Sequence, residues 1–185
     1  MTIKSIRDEL ANLPFGYIAL IITSGDYLEV GKSTVKFLLD ERKMCGVYIT
    51  FNKPFKTMTE ELLKVNVDLS KLFFIDAITE TAAGMHEKSD RCFFMSSPKN
   101  LTELAILLEQ AVGRLPKENR FIFMDSLSTM LIYNETDTVL RFIHALTGKM
   151  RLLNVTGVIV FLEKETDENI ISQLGQFCDK VISLD

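Results

Sequence analysis

The chain has 185 residues, 47% hydrophobic and 25% charged, which is enough material for one sizeable core and points to a single domain over residues 1–185. A formal charge of -4 and a pI near 5.3 lack the basic footprint of a protein that grips nucleic acid through its phosphates. No apolar run reaches the roughly 18 uncharged residues of a membrane span, and the N-terminal stretch MTIKSIRDELANLP is too polar for a secretory leader, so the expected location is cytoplasmic.

Along the chain, short apolar runs alternate with segments of helical period. Ile18 to Thr23 (IALIIT) is uncharged and β-branched, as a parallel strand buried on both faces requires. A helix is predicted over Ser33 to Arg42, with Val35, Leu38 and Leu39 on one side, and Gly46 breaks the chain before a second strand at 47–51 (VYITF). Pro54 ends that strand. Met58, Leu62, Leu63 and Val65 mark the next helix, and a third strand is predicted over 72–78 (LFFIDAI). The polar stretch 79–90 reads as a loop.

A fourth strand, RCFFMSS, stops at Pro98, and Asn100 with Glu103 then forms a capping-box-like start to a helix whose stripe runs from Leu101 to Leu115. That stripe reads as core. RFIFMDS at 120–126 is the fifth strand. A helix carrying Val139, Phe142, Ile143, Leu146, Met150 and Leu153 follows, then the strand GVIVFL, a short helix around Ile171, Leu174 and Phe177, and a last strand, VISL. The order β-α-β-α-β-β-α-β-α-β-α-β predicts an α/β fold, a mostly parallel sheet with helices on both faces.

Metal and nucleophile chemistry has little material. Cys45, Cys92 and Cys178 are scattered without a C-x-x-C pair and read as reduced thiols, while His86 and His144 do not suffice for a zinc site or a His-based triad.

In parallel α/β sheets, ligands bind beyond the carboxyl ends of strands. Five such ends line up here: residues 24–34, Thr50 to Lys53, Asp76 to Thr79, Asp125 to Ser128, and Glu163 to Glu165. The first contains GKST, residues 31–34, the closing letters of the phosphate-binding pattern G-x-x-x-x-G-K-[ST]. Gly31, Lys32, Ser33 and Thr34 are therefore nucleotide-binding candidates. Backbone N–H groups would curl around an anion at the helix N-terminus, and Lys32 would reach the outer phosphates. Ser33 would ligate Mg²⁺ through its hydroxyl, and Asp125, closing a hydrophobic strand about 90 residues later, would hold the metal's water shell.

The interior of the loop departs from the pattern. Asp26 stands where the first glycine belongs, Gly25 misses by one residue, and Glu29 takes another position where glycine is common. A side chain in the left-handed region costs about 1 to 2 kcal/mol. A carboxylate about 4 Å from a phosphate adds repulsion of about 1 kcal/mol in water and about 4 at an effective dielectric of 20.

From LPFGYIALIIT and GKST through VYITFNKPFKTMTEELLK, LFFIDAIT, FFMSSPKNLTEL and FIFMDSLSTML to FCDKVISL, the chain resembles the KaiC/RecA-like P-loop ATPases, in particular small stand-alone archaeal KaiC-like proteins. The resemblance implies a three-layer RecA-like fold, ATP or ADP with Mg²⁺ as cofactor, and self-association in a ring or dimer, or with another protein. It places Lys32 and Ser33 at the phosphates and metal and makes Asp125 the acid of the second motif.

Where the family carries glutamates after its second strand, this chain has Asn52 and Lys53. Asn52 could position a water but not take its proton, so general-base help of about 10² to 10⁴ in rate would be missing. The stretches matching the family's DNA loops, around YNET and EKETDEN, are short and acidic, which argues against strand exchange. Three functions remain open: a nucleotide-binding regulatory or assembly module with weak or absent hydrolysis, a slow Mg²⁺-dependent ATPase, and a pseudo-ATPase interaction scaffold. A loop collapsed on the site, with Glu29 bonded to Lys32, would favour the scaffold.

Overall fold

The seven apolar runs form seven strands: β1 (Ile18–Thr23), β2 (Cys45–Thr50), β3 (Leu72–Asp76), β4 (Cys92–Phe94), β5 (Arg120–Asp125), β6 (Thr156–Leu162) and β7 (Lys180–Leu184). They pair in parallel into one sheet of order β4-β3-β2-β5-β6-β1-β7. The computed structural model describes residues 3–83, 88–162 and 168–184. Among these, no helix is long and apolar enough to cross a membrane.

The helices are α1 (Ile3–Ala11), α2 (Tyr27–Asp40), α3 (Phe55–Lys64), α4 (Thr79–Ala83), α5 (Leu101–Arg114), α6 (Leu127–Tyr133), α7 (Thr136–Leu152) and α8 (Glu168–Gly175), with a 3-10 turn at Leu69–Lys71. They sort to two faces of the sheet, which is why the strand runs are continuously apolar. In β1, Ala19 and Ile21 pack with Leu10 of α1, Leu38 of α2 and Leu62 of α3. Ile18, Leu20 and Ile22 pack with Leu104 of α5, Met130 of α6, Ile143 of α7 and Leu174 of α8. Each of the Leu, Ile and Met side chains taken fully out of water contributes about 1.5–3 kcal/mol.

Strand bounds shift, with β2 taking in Cys45 and Gly46 and β4 ending at Phe94 rather than running to residue 97, and three further features differ from the expectations. First, α2 begins at Tyr27 rather than Ser33. Second, α1 and α6 were not expected. Each is short, and among the described side chains its buried ones are a single one-face pair, Ile6 with Leu10 and Leu127 with Met130, too few to establish a helical period. Third, β3 ends at Asp76 instead of running on to residue 78, because the Asp76 carboxylate accepts the N–H groups of Ile78 and Thr79, both at 2.8 Å, and turns the chain. Part of the predicted 79–90 loop is α4, and residues 84–87 of it lie outside the described residues, as do Glu163 to Glu165.

Register brings the candidate strand ends level. Thr50 lies opposite Asp76 on one side and Asp125 on the other, and Thr23 lies opposite Leu162.

Candidate functional site

Asp26 is the N-cap of α2. Its side chain accepts the N–H groups of Leu28 at 3.1 Å and Glu29 at 3.2 Å, so the acid that replaces a loop glycine satisfies two of the donors that an α-helix leaves open at its start. The Val30 N–H donates to the Asp26 carbonyl at 3.1 Å. From Gly31 onward each N–H is committed to the carbonyl four residues back, as in any helix interior. GKST thus lies in the second turn of a helix, and its N–H groups do not face an anion site. The signal for this was present in the sequence, since an Asp followed three residues later by Glu is the spacing of a capping box.

Lys32 has its side chain 8% exposed and pairs with Glu29 one turn back and with Glu61 of α3 at 3.6 Å. The Glu29 hydrogen bond holds the ammonium above the usual lysine range against the opposing pull of burial, and the fields of Glu29 and Glu61 act in the same direction as that bond. Glu61 also pairs with Lys64, which does most to keep its carboxyl below the ordinary value.

Gly31 faces the sheet: a Cβ there would sit 3.6 Å from the Phe123 ring and 3.7 Å from the Tyr48 hydroxyl. Thr34 is buried, and its Oγ1 has no hydrogen-bond partner among the described residues. Ser33 lies elsewhere, half-buried in a groove between α1 and α2 that it shares with Arg7 and Lys36. The structure does not place it with the partners of Asp125.

Asp125, 2% exposed, closes β5. Tyr48 of β2 donates to its Oδ2 at 2.8 Å and Asn52 donates to its Oδ1 at 3.1 Å. Burial raises the carboxyl above its ordinary value of 3.8, while the Tyr48 and Asn52 hydrogen bonds and the more distant charge of Lys53 pull it down. The same field acts on Tyr27, whose phenol is raised first by burial and then by Asp125 and Asp26. Tyr48, fully buried, stacks at a tilt on Phe123 with ring centroids 5.1 Å apart. Its hydroxyl therefore reaches both Asp125 and the space beneath Gly31. Sequence reasoning missed Tyr48, because inside VYITF it is indistinguishable from a core aromatic.

Asn52 is brought to Asp125, as a shared site requires, but its amide is already engaged. Nδ2 donates to Asp125 and, at 3.2 Å, to Ser126 Oγ, and Oδ1 accepts from the Thr129 hydroxyl. Both amide protons have protein acceptors, so neither is left to hold a water.

Gly31, Tyr48, Asn52 and Asp125 thus come together at the ends of β2 and β5 under α2, with Lys32 turned to Glu29 and Glu61. No group of three His, Cys, Asp or Glu side chains suited to a metal ion occurs among the described residues. A Mg²⁺-nucleotide does not fit this arrangement as it stands, since the cradle N–H groups are helical, the lysine is paired with acids, and Asp125 is enclosed by neutral donors.

A solved structure with this architecture is the KaiC-like protein PH0186 from the hyperthermophilic archaeon Pyrococcus horikoshii OT3, which superposes with a TM-score of 0.68 at 15% identity over 96% of this chain and 76% of that one. The likeness shows the fold, a RecA-like α/β domain of the KaiC kind. No curated protein matches the chain. A family model does match, over residues 46–184, a span that begins after GKST and takes in Tyr48, Asn52, Glu61 and Asp125. The chain therefore belongs to that family, described as a family of unknown function, DUF7504.

Proposed function

We propose that this chain is a RecA-like pseudo-ATPase, a protein-interaction module in which the first turn of α2 takes the place of a phosphate cradle. The observation that carries this reading is Lys32, held inside a helix and paired with Glu29 and Glu61. An ammonium between two carboxylates has no net positive charge to offer a phosphate, and N–H groups bonded within the helix have no donor to spare for one. With the site filled by its own side chains, function passes to the surface of the fold. Its partners are another protein or further copies of the chain in a ring or dimer, and its location is cytoplasmic.

One observation favours a second reading, a weak ATP- or ADP-binding module. The closing turn rests on one exposed cap, Asp26, and on Glu29, whose side chain is 45% exposed. Loss of such a cap costs about 0.5–2 kcal/mol, and Glu29 meets solvent on its own side of the pair with the buried Lys32. A Mg²⁺-nucleotide with modest intrinsic affinity could displace them.

Titration calorimetry with Mg²⁺-ATP and Mg²⁺-ADP separates the two. The scaffold reading expects no saturable heat at millimolar nucleotide. Micromolar binding that disappears in Lys32→Ala would overturn it in favour of the nucleotide-binding module.

A further inference from the structure

On the face of the sheet opposite α2, helices α5 and α7 stand apart and leave a groove of about 500 Å³, within the size range of small-molecule sites. Helix α5 packs on β2 and β3 while α7 packs on β6, so the gap lies over β5, the strand between them. Its walls are largely apolar and mix small with large side chains, Ala105, Val112 and Gly113 on α5 and Phe142, Ala145 and Met150 on α7. Nothing lies within 4 Å of the position a Cβ would take at Gly113. Ile122 and Val155, both buried, also line the groove from the sheet side.

The shape and charge of the occupant follow from the lips. Glu109 of α5 and Lys149 of α7 pair across the groove, and an α-helix, about 10 Å across with its side chains, does not fit beneath such a bridge. A single hydrocarbon chain does. The pair also neutralises Glu109, the acid of the lining, and leaves Arg120 unmatched. The Arg120 Nε is buried with no hydrogen-bond partner, one Nη2 proton goes to the Leu153 carbonyl at 3.1 Å, and no described acid pairs with the guanidinium. Arginine has five N–H donors; with Nε enclosed and one Nη2 proton taken, the other Nη protons retain capacity for an anion at the end of an apolar trough. The eight helical rises from Ala105 to Gly113 give the trough a length of about 12 Å.

We infer that the α5–α7 groove binds a slim hydrocarbon chain carrying one anionic head, the chain lying over β5 and the head at Arg120. The site shares no residue with Lys32, Asp125 or their partners, so it stands whether or not nucleotide binds beneath α2.

Titration of the whole chain with decanoate below its micelle concentration tests this, with 1-decanol and decyltrimethylammonium as probes of equal chain length. Decanoate should saturate one site at micromolar levels, with decanol at least about tenfold weaker and the cationic amphiphile weaker still. Gly113→Leu fills the groove at an open helical position and favours the helix. It should weaken decanoate by at least about tenfold, and Ala145→Leu should do the same from the facing wall. Arg120→Met should bring decanoate down to the level of decanol. Absence of saturable decanoate binding, unchanged affinity in both groove-filling variants, or equal binding of the cationic amphiphile would each overturn the assignment.

Discussion

Beneath α2, Lys32 closes on Glu29 and Glu61, and Tyr48 and Asn52 close on Asp125, whereas between α5 and α7 Arg120 keeps unmatched donors beside a trough of about 500 Å³. The sheet is continuous under both regions, so the difference lies in what the helices carry. Helix α2 brings Lys32 within reach of Glu29 on its own turn and Glu61 on α3, while beneath it Tyr48 of β2 and Asn52 satisfy Asp125 of β5. Helices α5 and α7 turn mostly apolar side chains to the groove between them, and these make no polar closure across its floor. In this molecule the polar end of the sheet, where the motif points, is the closed one, and the apolar flank is the open one.

The largest expected effect on that contrast comes from removing the aromatic wedge of the closed side. Phe123 is fully buried, packs on Tyr48 and faces Gly31. Phe123→Ala should cost about 3–5 kcal/mol through the cavity it leaves, as read by urea unfolding. A loss under 1 kcal/mol would mean that α2 is not seated on the sheet as described.

A smaller loss, about 1–3 kcal/mol at neutral pH, is expected for Tyr48→Phe, which takes one donor from the buried Asp125 carboxylate. Its pH dependence carries the sharper information. Burial already holds the Asp125 carboxyl above 3.8, and losing the hydroxyl raises it further. The folded state then binds the proton more readily than the unfolded state, so stability falls as pH rises through the window from 3.8 to the new folded value. The Tyr48→Phe deficit should therefore be full above that window and shrink on acidification. A deficit that does not vary with pH would mean that Tyr48 acts through packing alone.

Asp26→Ala should cost least, about 1 kcal/mol, through loss of the α2 cap. It also loosens the closed turn. If the variant acquires Mg²⁺-nucleotide binding that the parent lacks, the cap is what keeps the cradle shut. If it loses stability and still ignores nucleotide, the closure lies with Lys32 and its two acids.

Much of the fold was legible, and the reasons are local. Strands buried on both faces must be continuously apolar, so all seven could be found, and α5 begins where Asn100 and Glu103 said it would. There the Asn100 side chain accepts the Glu103 N–H at 3.0 Å. The reciprocal half of the box is made differently, because Glu103 reaches the N–H and hydroxyl of Ser96. The same local signal at Asp26 and Glu29 coincides with the glycine positions of a phosphate loop, and the GKST that follows makes a nest and a helical turn equally consistent with the sequence. Of the candidate site, Asn52 and Asp125 do meet, and Gly31 lies against the same wall. Ser33 faces α1, and no spacing in the chain distinguishes its turn of the helix from that of Lys32.

What the sequence by itself determined is the alternating α/β order, the two-sided burial of the sheet and the ends of the better-capped helices, since periodicity and capping act within one or two turns of chain. Tertiary structure alone decided which distant side chains enclose Lys32 and Asp125. The contacts that settle the state of Lys32 and Asp125 join Lys32 to Glu61 and Tyr48 to Asp125, the latter 77 positions apart. Their existence depends on strand register and on where α3 packs, which no local pattern specifies.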